Sequence, residues 1–398
     1  MSSNLRDGYV FKVKYINFAS YVVFTIAICG CCKDEDVHIA YGEDNRPAQT
    51  EWVMHRGNQA LTGFAQGSLA IEFEVAWQFN GKSDIIASAV IQGDAVYVVD
   101  ALDGNVYALN KATGKQIWIT PLDCGIEATP LIIDAILYVG SENEYFYALD
   151  IETGNVVWQQ KTSGKIMSGA NWFLDIIDNQ KYIICGSYDG TLYSFNAKHG
   201  DLHWTYETDN YINGTSAIHN GLIAFGGCDA IIHFVSAKTG KELGAIDTED
   251  YIAGSGAIDD EAIYIGNYGN TFMKVNLETK KTDWTFKRNH EFYASPAIYK
   301  NMVVVACRDK NIYCLDKKTG EVLWLYHTRG KIDSSPVICD NKVISGSDDG
   351  RLYLIDLNSG KLIWQYELGH KIKASPAIVD GMIYIGTENG TFWAFKKK

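Results

Sequence analysis

The sequence predicts an all-β protein: an eight-bladed β-propeller of four-stranded antiparallel blades. Three observations predict it. A tryptophan returns about every 40 residues, at Trp77, Trp118, Trp158, Trp204, Trp284, Trp324 and Trp364. Between tryptophans lie four short segments rich in Val, Ile, Tyr and Trp, separated by turn-forming residues. Beyond Gly30 no stretch carries helical periodicity.

Composition agrees. The chain has 398 residues and 47% hydrophobic content, enough for a large core, and tandem repetition lets one domain run this long. A net charge of -13 repels phosphate backbones and argues against nucleic acid as a partner. With 13% aromatic residues, the chain is not a disordered one.

The first element is a targeting segment. Arg6, Lys12 and Lys14 precede an apolar run from Tyr15 to Gly30, too short to span a bilayer comfortably and typical of a secretory signal. It ends Ile28-Cys29-Gly30-Cys31, which resembles the bacterial lipoprotein signal. That resemblance implies a signal peptide over 1–30, lipid attachment at Cys31 and membrane anchoring. Lys33 to Asp36 reads KDED, which resembles a surface-export signal, so periplasmic and surface placements stay open. Residues 31–50 are expected to be a flexible tether and 51–398 the propeller.

Within the repeat, the unit after Trp118 reads EATPLII, ILYVGSE, YFYALDI and NVVWQQ. Its middle turn corresponds to Asp103-Gly104, Asp189-Gly190, Asp349-Gly350 and Asn389-Gly390 elsewhere, pairs suited to positive φ. A Thr-Gly or Ser-Gly turn follows, ending at Gly114, Gly154, Gly240, Gly320 and Gly360. One unit places Gly244 where tryptophan belongs, and its outer strand is expected to pack less firmly. Another unit, holding NWFLDIIDNQKYIICG, is longer than the rest. The last unit stops at its third strand, GTFWAF, so the strand from Glu72 to Phe79 is expected to complete it and close the ring.

Ala148, Asp150, Thr153, Gly154 and Trp158 form A-x-D-x-x-T-G-x-x-x-W. The motif resembles the tryptophan-docking repeat of the PQQ-type (quinoprotein-like) propellers, and WVMHRGNQALTG (Trp52 to Gly63) is similar to their lead-in. The resemblance covers Trp52 to Lys398 and implies that the seven tryptophans dock each blade on its neighbour's turn. Among these propellers the chain is most similar to the BamB-type outer-membrane assembly lipoproteins. That implies a non-catalytic, lipid-anchored scaffold of the outer membrane, without cofactor or metal. Its partners would be envelope proteins, the β-barrel assembly machinery among them. The alternatives are a PQQ-dependent dehydrogenase and a carbohydrate-binding surface propeller. Family enzymes carry long insertions, a vicinal disulfide and calcium-binding acids. Here the adjacent pair Cys31-Cys32 belongs to the signal, and no HExxH or EF-type loop occurs.

The segment opening each unit supplies a uniformly small column: Ala87, Ala128, Ser168, Gly214, Gly254, Ala294, Ser334 and Ala374. Eight strands converging on an axis leave room only for small residues, so these serines read as spacers, not nucleophiles. Just ahead of the column stand Lys165, Tyr211, Asn213, Tyr251, Glu291, Tyr293, Lys331, Asp333, Lys371 and Lys373, expected to form a binding surface at one mouth. Cys307 and Cys314 flank a predicted hairpin with the same parity, which would place them on one face, either bridged or, the favoured reading, as two small buried side chains. Fatty-acid labelling of the expressed protein should mark the wild type and spare Cys31→Ser; label that persists on the variant rejects Cys31 as the attachment site.

Overall fold

The computed structural model describes residues 49–398; Cys31, the signal segment and the first part of the tether lie outside them. Eight four-stranded antiparallel sheets succeed one another along the chain. Blades 1 to 7 occupy residues 90–121, 131–161, 171–207, 217–247, 257–287, 297–327 and 337–367. Blade 8 combines residues 377–397 with the strand Phe73–Asn80, which pairs antiparallel with Thr391–Lys397 (Trp77 opposite Ala394). The N-terminal strand thus closes the ring, as the repeat phase predicts.

Each strand's burial follows from its place. Second and third strands, such as Ala95–Val99 and Tyr145–Asp150, are buried along most of their length because neighbouring blades cover both faces. Fourth strands, such as Val156–Lys161, alternate exposed and half-buried residues. The core therefore sits between blades: Val90, Tyr97 and Val99 of blade 1 pack with Ile132, Leu137 and Val139 of blade 2. Each fully buried aliphatic side chain contributes about 1.5–3 kcal/mol.

The tryptophans make the junctions. Trp77, Trp118, Trp158, Trp204, Trp284 and Trp324 each donate the indole N–H to a carbonyl in the next blade's last turn. The acceptors are Lys111, Ile151, Ala197, Ala237, Lys317 and Leu357, at 2.7–3.1 Å. Each ring lies flat against that turn's glycine. A Cβ on Gly114 would stand 2.4 Å from Trp77, so the contact demands glycine as much as the positive φ does. Trp364 packs instead on Phe73 and Phe395 of the closing blade.

Between blades 4 and 5 the structure corrects the expectation of a loose unit. Gly244 replaces the tryptophan, but Lys280 replaces the turn glycine. Its stem crosses Gly244, 3.4 Å from where a Cβ would be, and its ammonium lies 4.1 Å from the Phe234 ring centroid. The same ammonium donates to the Leu277 carbonyl, the position that accepts an indole N–H at the other junctions. Large and small residues have exchanged sides, and both the filled volume and the hydrogen bond survive.

A second correction concerns Cys307 and Cys314. Cys307 pairs with Asn311 and Cys314 with Val304, an offset of three residues that sends the two thiols to opposite faces. Both are buried and free.

One mouth of the ring is sealed by the segment Gln49–Ala65. It visits every blade but the third through backbone hydrogen bonds: Gln49 O accepts from Asp380, Trp52 exchanges bonds with Ile91, and Val53 O accepts from Ile132. Gln59, Ala60, Thr62 and Gly63 carbonyls accept from Ile218, Ile258, Ile298 and Ile338. Blade 3 joins through the side-chain amide of Asn171, whose Nδ2 donates to Gln59 O at 2.7 Å. Phe64–Ala65 then adds a parallel strand to Val337–Cys339. Arg56 fixes this strap from within: fully buried, it donates to the carbonyls of Pro296, Ser335 and Pro336. Gly63 makes room for it, since a Cβ there would meet the guanidinium at 1.9 Å. First and third turns of every blade face this sealed side, including the long blade 3 hairpin, whose Ile176 and Ile177 stand in solvent.

Lys280→Gly should lower stability by about 1–3 kcal/mol in urea unfolding, through the lost packing and hydrogen bond. Lys280→Gly combined with Gly244→Trp should restore it by rebuilding the standard junction; additive losses would reject the exchange.

Candidate binding site in the blind channel

Sealing one end turns the ring's axis into a funnel. The small column lies halfway down, and beneath it comes a hydroxyl ring the sequence reading passed over: Ser88, Thr129, Thr215, Ser255, Ser295, Ser335 and Ser375, with Gly169 in the eighth place. Backbone N–H groups donate to the next blade's hydroxyl, as from Thr215 to Ser255 (2.8 Å), Ser295 to Ser335 (2.9 Å) and Ser335 to Ser375 (3.1 Å). The hydroxyls thereby satisfy strand edges that converge too closely to pair with each other. His55 of the strap forms the floor, its Nδ1 3.5 Å from Thr129 Oγ1.

Above the small column each blade contributes one residue to the wall: Ile86, Glu127, Met167, Asn213, Ala253, Tyr293, Asp333 and Lys373. With Tyr188 and Tyr268 most of them enclose a vestibule of about 300 Å³ that opens to solvent, above a channel of about 130 Å³. Of the ten residues expected at the mouth, Asn213, Tyr293, Asp333 and Lys373 line this space. Lys165, Tyr211, Tyr251, Glu291, Lys331 and Lys371 do not; they form the rim around it.

The rim residues are braced by a set that sequence reasoning missed. In blades 2 to 8, Glu142, Tyr188, Cys228, Tyr268, Arg308, Asp348 and Glu388 occupy one repeat position, two residues after a second-strand glycine (Ala306 in blade 6). Their N–H groups donate to the carbonyls of Gly125, Lys165, Tyr211, Tyr251, Glu291, Lys331 and Lys371. That fixed offset was the available signal. Their side chains then pair with the rim: Tyr188 stacks on Tyr211 (4.8 Å) and Tyr268 on Tyr251 (4.7 Å). Arg308 grips Asp333 with two bonds (2.7 and 3.2 Å) and lies 4.6 Å from the Tyr293 ring centroid.

Charge at the mouth is nearly all paired. Lys165 meets Glu142 (2.6 Å), Lys331 meets Asp333 and Asp348, and both Lys371 and Lys373 meet Glu388. Burial alone would raise Asp333, but the bonds from Arg308 and the charge of Lys331 outweigh it and hold the carboxyl below the usual range. Among the described residues Glu291 on the rim makes no ion pair, and within the wall neither does Glu127. Among the described residues nothing hydrogen-bonds it, and burial together with the charge of Glu142 raises its pKa against the pull of Lys373 and Lys165. Asn213 donates to Cys228 Sγ, leaving its buried Oδ1 without a partner.

Eight docked blades around a one-ended axial channel define a PQQ-type propeller. The chain belongs to the family described as outer membrane protein assembly factor BamB, whose profile matches residues 65–224, 228–337 and 328–398. It is 26% identical to the BamB of Moranella endobia (strain PCIT) over 208 residues, 48% of this chain and 52% of that protein. It is 24% identical to the quinohemoprotein alcohol dehydrogenase of Comamonas testosteroni over 176 residues, 41% of this chain and 25% of that protein. The matched segment thus spans about half of the BamB relative and a quarter of the dehydrogenase. Among solved structures, BamB from Moraxella catarrhalis superposes with a TM-score of 0.69 at 17% identity, covering 82% of this chain and 98% of that one. A europium-containing methanol dehydrogenase gives 0.76 at 13% identity, covering 88% and 98%. These superpositions establish the fold. Among the described residues no group of three or more His, Cys, Asp or Glu side chains is placed to hold a metal. Asp333, one of only two acids lining the channel, is already bound by Arg308 and Lys331. This donor set does not fit a metal-assisted quinone.

His55 supplies a pH test. Burial, then the charge of Arg56, pushes its pKa from 6.5 to about 3, although an edge of the ring still faces the channel. The unfolded chain takes up this proton from pH 6.5 downward while the folded imidazole refuses it. Stability from this group is therefore complete above pH 6.5 and falls as pH drops towards 3, by at most about 1.4 kcal/mol per pH unit. Urea unfolding of His55→Gln between pH 7 and pH 4 should show a shallower decline than the wild type; equal slopes would place the acid sensitivity elsewhere.

Proposed function

We propose that the chain is a non-catalytic, lipid-anchored envelope scaffold that holds a protein partner at its open mouth and serves outer-membrane protein assembly. One observation carries the reading. The rim is built of stacked tyrosine pairs surrounded by matched ion pairs, the composition of an interaction hot spot with a polar border, and the channel below it is blind. Tyr211, Tyr251 and Tyr293 leave 50%, 45% and 37% of their surface in water, so a partner would gain apolar burial there with little side-chain ordering. Membership of the BamB family supports a partner from the β-barrel assembly machinery, and Cys31 would supply the lipid anchor on the outer membrane.

Tyr211→Ala with Tyr251→Ala should weaken partner capture in envelope pull-downs by tenfold or more, about 1.4 kcal/mol or above. The melting temperature should hold, because both rings are exposed at the rim and stand away from the tryptophan junctions that seat the blades. Undiminished capture would move the interface off the mouth. Reduction of a dye by the PQQ-loaded protein with an alcohol would replace the scaffold reading with an enzymatic one.

A further inference from the structure

We propose that the vestibule is a receptor for a basic side chain: a primary ammonium or guanidinium enters beside Tyr188 and Tyr293 and ion-pairs with Glu127. An extended segment of the protein partner delivers it, so the source of the cation rests on the scaffold reading above, while the chemistry of the site does not.

The charge pattern selects the ligand. Two acids line the funnel; Asp333 is held by Arg308 and Lys331, whereas Glu127 has no partner. The only cation in the wall, Lys373, is already bound to Glu388. Glu127 faces the opening and makes no direct ion pair, with Lys373 and Lys165 acting on it only from a distance; an incoming cation would give it the direct partner it lacks. An anion would meet the opposite penalty, and a neutral polyhydroxylated ligand would leave the carboxylate as it is.

The remaining wall suits the same ligand. Asn213 offers an unpartnered Oδ1, a second acceptor for a group that has only donors. Tyr188, Tyr268 and Tyr293 give aromatic surface, and Met167, Ile86 and Ala253 give apolar surface for a methylene stem. The space of about 300 Å³ is blind, which admits one side chain and not a thickness of folded protein. A net charge of -13 draws cations to the molecule from a distance.

The full-length protein would be titrated calorimetrically with a blocked Gly-Lys-Gly peptide, the same peptide carrying norleucine, and butylamine. The lysine peptide should bind at least about tenfold more tightly than its norleucine counterpart. Glu127→Gln should erase that preference while melting no lower than the wild type, since it removes only an unpaired charge. Ala253→Phe, which fills the vestibule from the opposite wall, should abolish binding of all three. Butylamine bound as tightly as the peptide would support the site and assign it to free amines. Equal affinity for lysine and norleucine peptides, or wild-type preference in Glu127→Gln, would overturn the proposal. The scaffold reading fails separately: the Tyr211 and Tyr251 double variant would keep both full partner capture and lysine-peptide binding.

Discussion

A four-stranded blade has two apolar faces and cannot bury either by itself, so everything in this molecule depends on how one blade seats on the next. The seat is specific. A flat ring covers the neighbouring turn, a glycine lets it approach, and its N–H satisfies a carbonyl that the turn leaves open. The blade 4 to blade 5 junction shows which part of this is indispensable. There Lys280 reaches back over Gly244, and a cation on Phe234 does the work of an indole. What must be kept is a filled volume and a donor at the Leu277 position; the residue that provides them can change, and so can the blade it comes from.

The strap imposes polarity on an otherwise repetitive object. Eight similar blades would leave a pore open at both ends, with converging strand edges exposed at each. Gln49–Ala65 caps one set of edges through carbonyls that need no particular side chain, and Arg56 draws the strap inward by three carbonyl contacts. Burial pushes that guanidinium down to about 9, which leaves it charged at neutral pH. The opposite end stays open, and its variable columns are free to become a surface.

Much of this was legible in the sequence because repetition converts single residues into columns. The eight units, the closing strand and the small inner column were read from spacing, and the docking role of the tryptophans from the resemblance of their motif. Three features were not. The strap is held by backbone atoms, so WVMHRGNQALTG carries little trace of its course around the axis. The Lys280 exchange was hidden because a column read one position at a time shows a missing tryptophan, whereas compensation lies in a different column on a different blade. At the mouth, the reading found residues ahead of the small column but not their bracing partners or Glu127. Glu127 stands one position before Ala128, as Asn213 does before Gly214. Its distinction is an unpaired charge, and pairing is a property of neighbours three-dimensionally placed. The Cys307 and Cys314 parity failed for a related reason, since an offset of three between the paired positions decides the face.

The strap also gives the molecule a mechanical side. Any tension transmitted from residue 48 arrives first at Gln49, whose carbonyl is bonded to Asp380 of blade 8, and next at Trp52 on blade 1. The bonds beyond these follow in order around the axis, so a pull would peel the floor blade by blade before loading any sheet in shear. Arg56 sits midway along that line, with its contacts on blades 6 and 7, and would act as a catch that halts the peeling. Loaded through its floor, the ring can yield there and keep its blades.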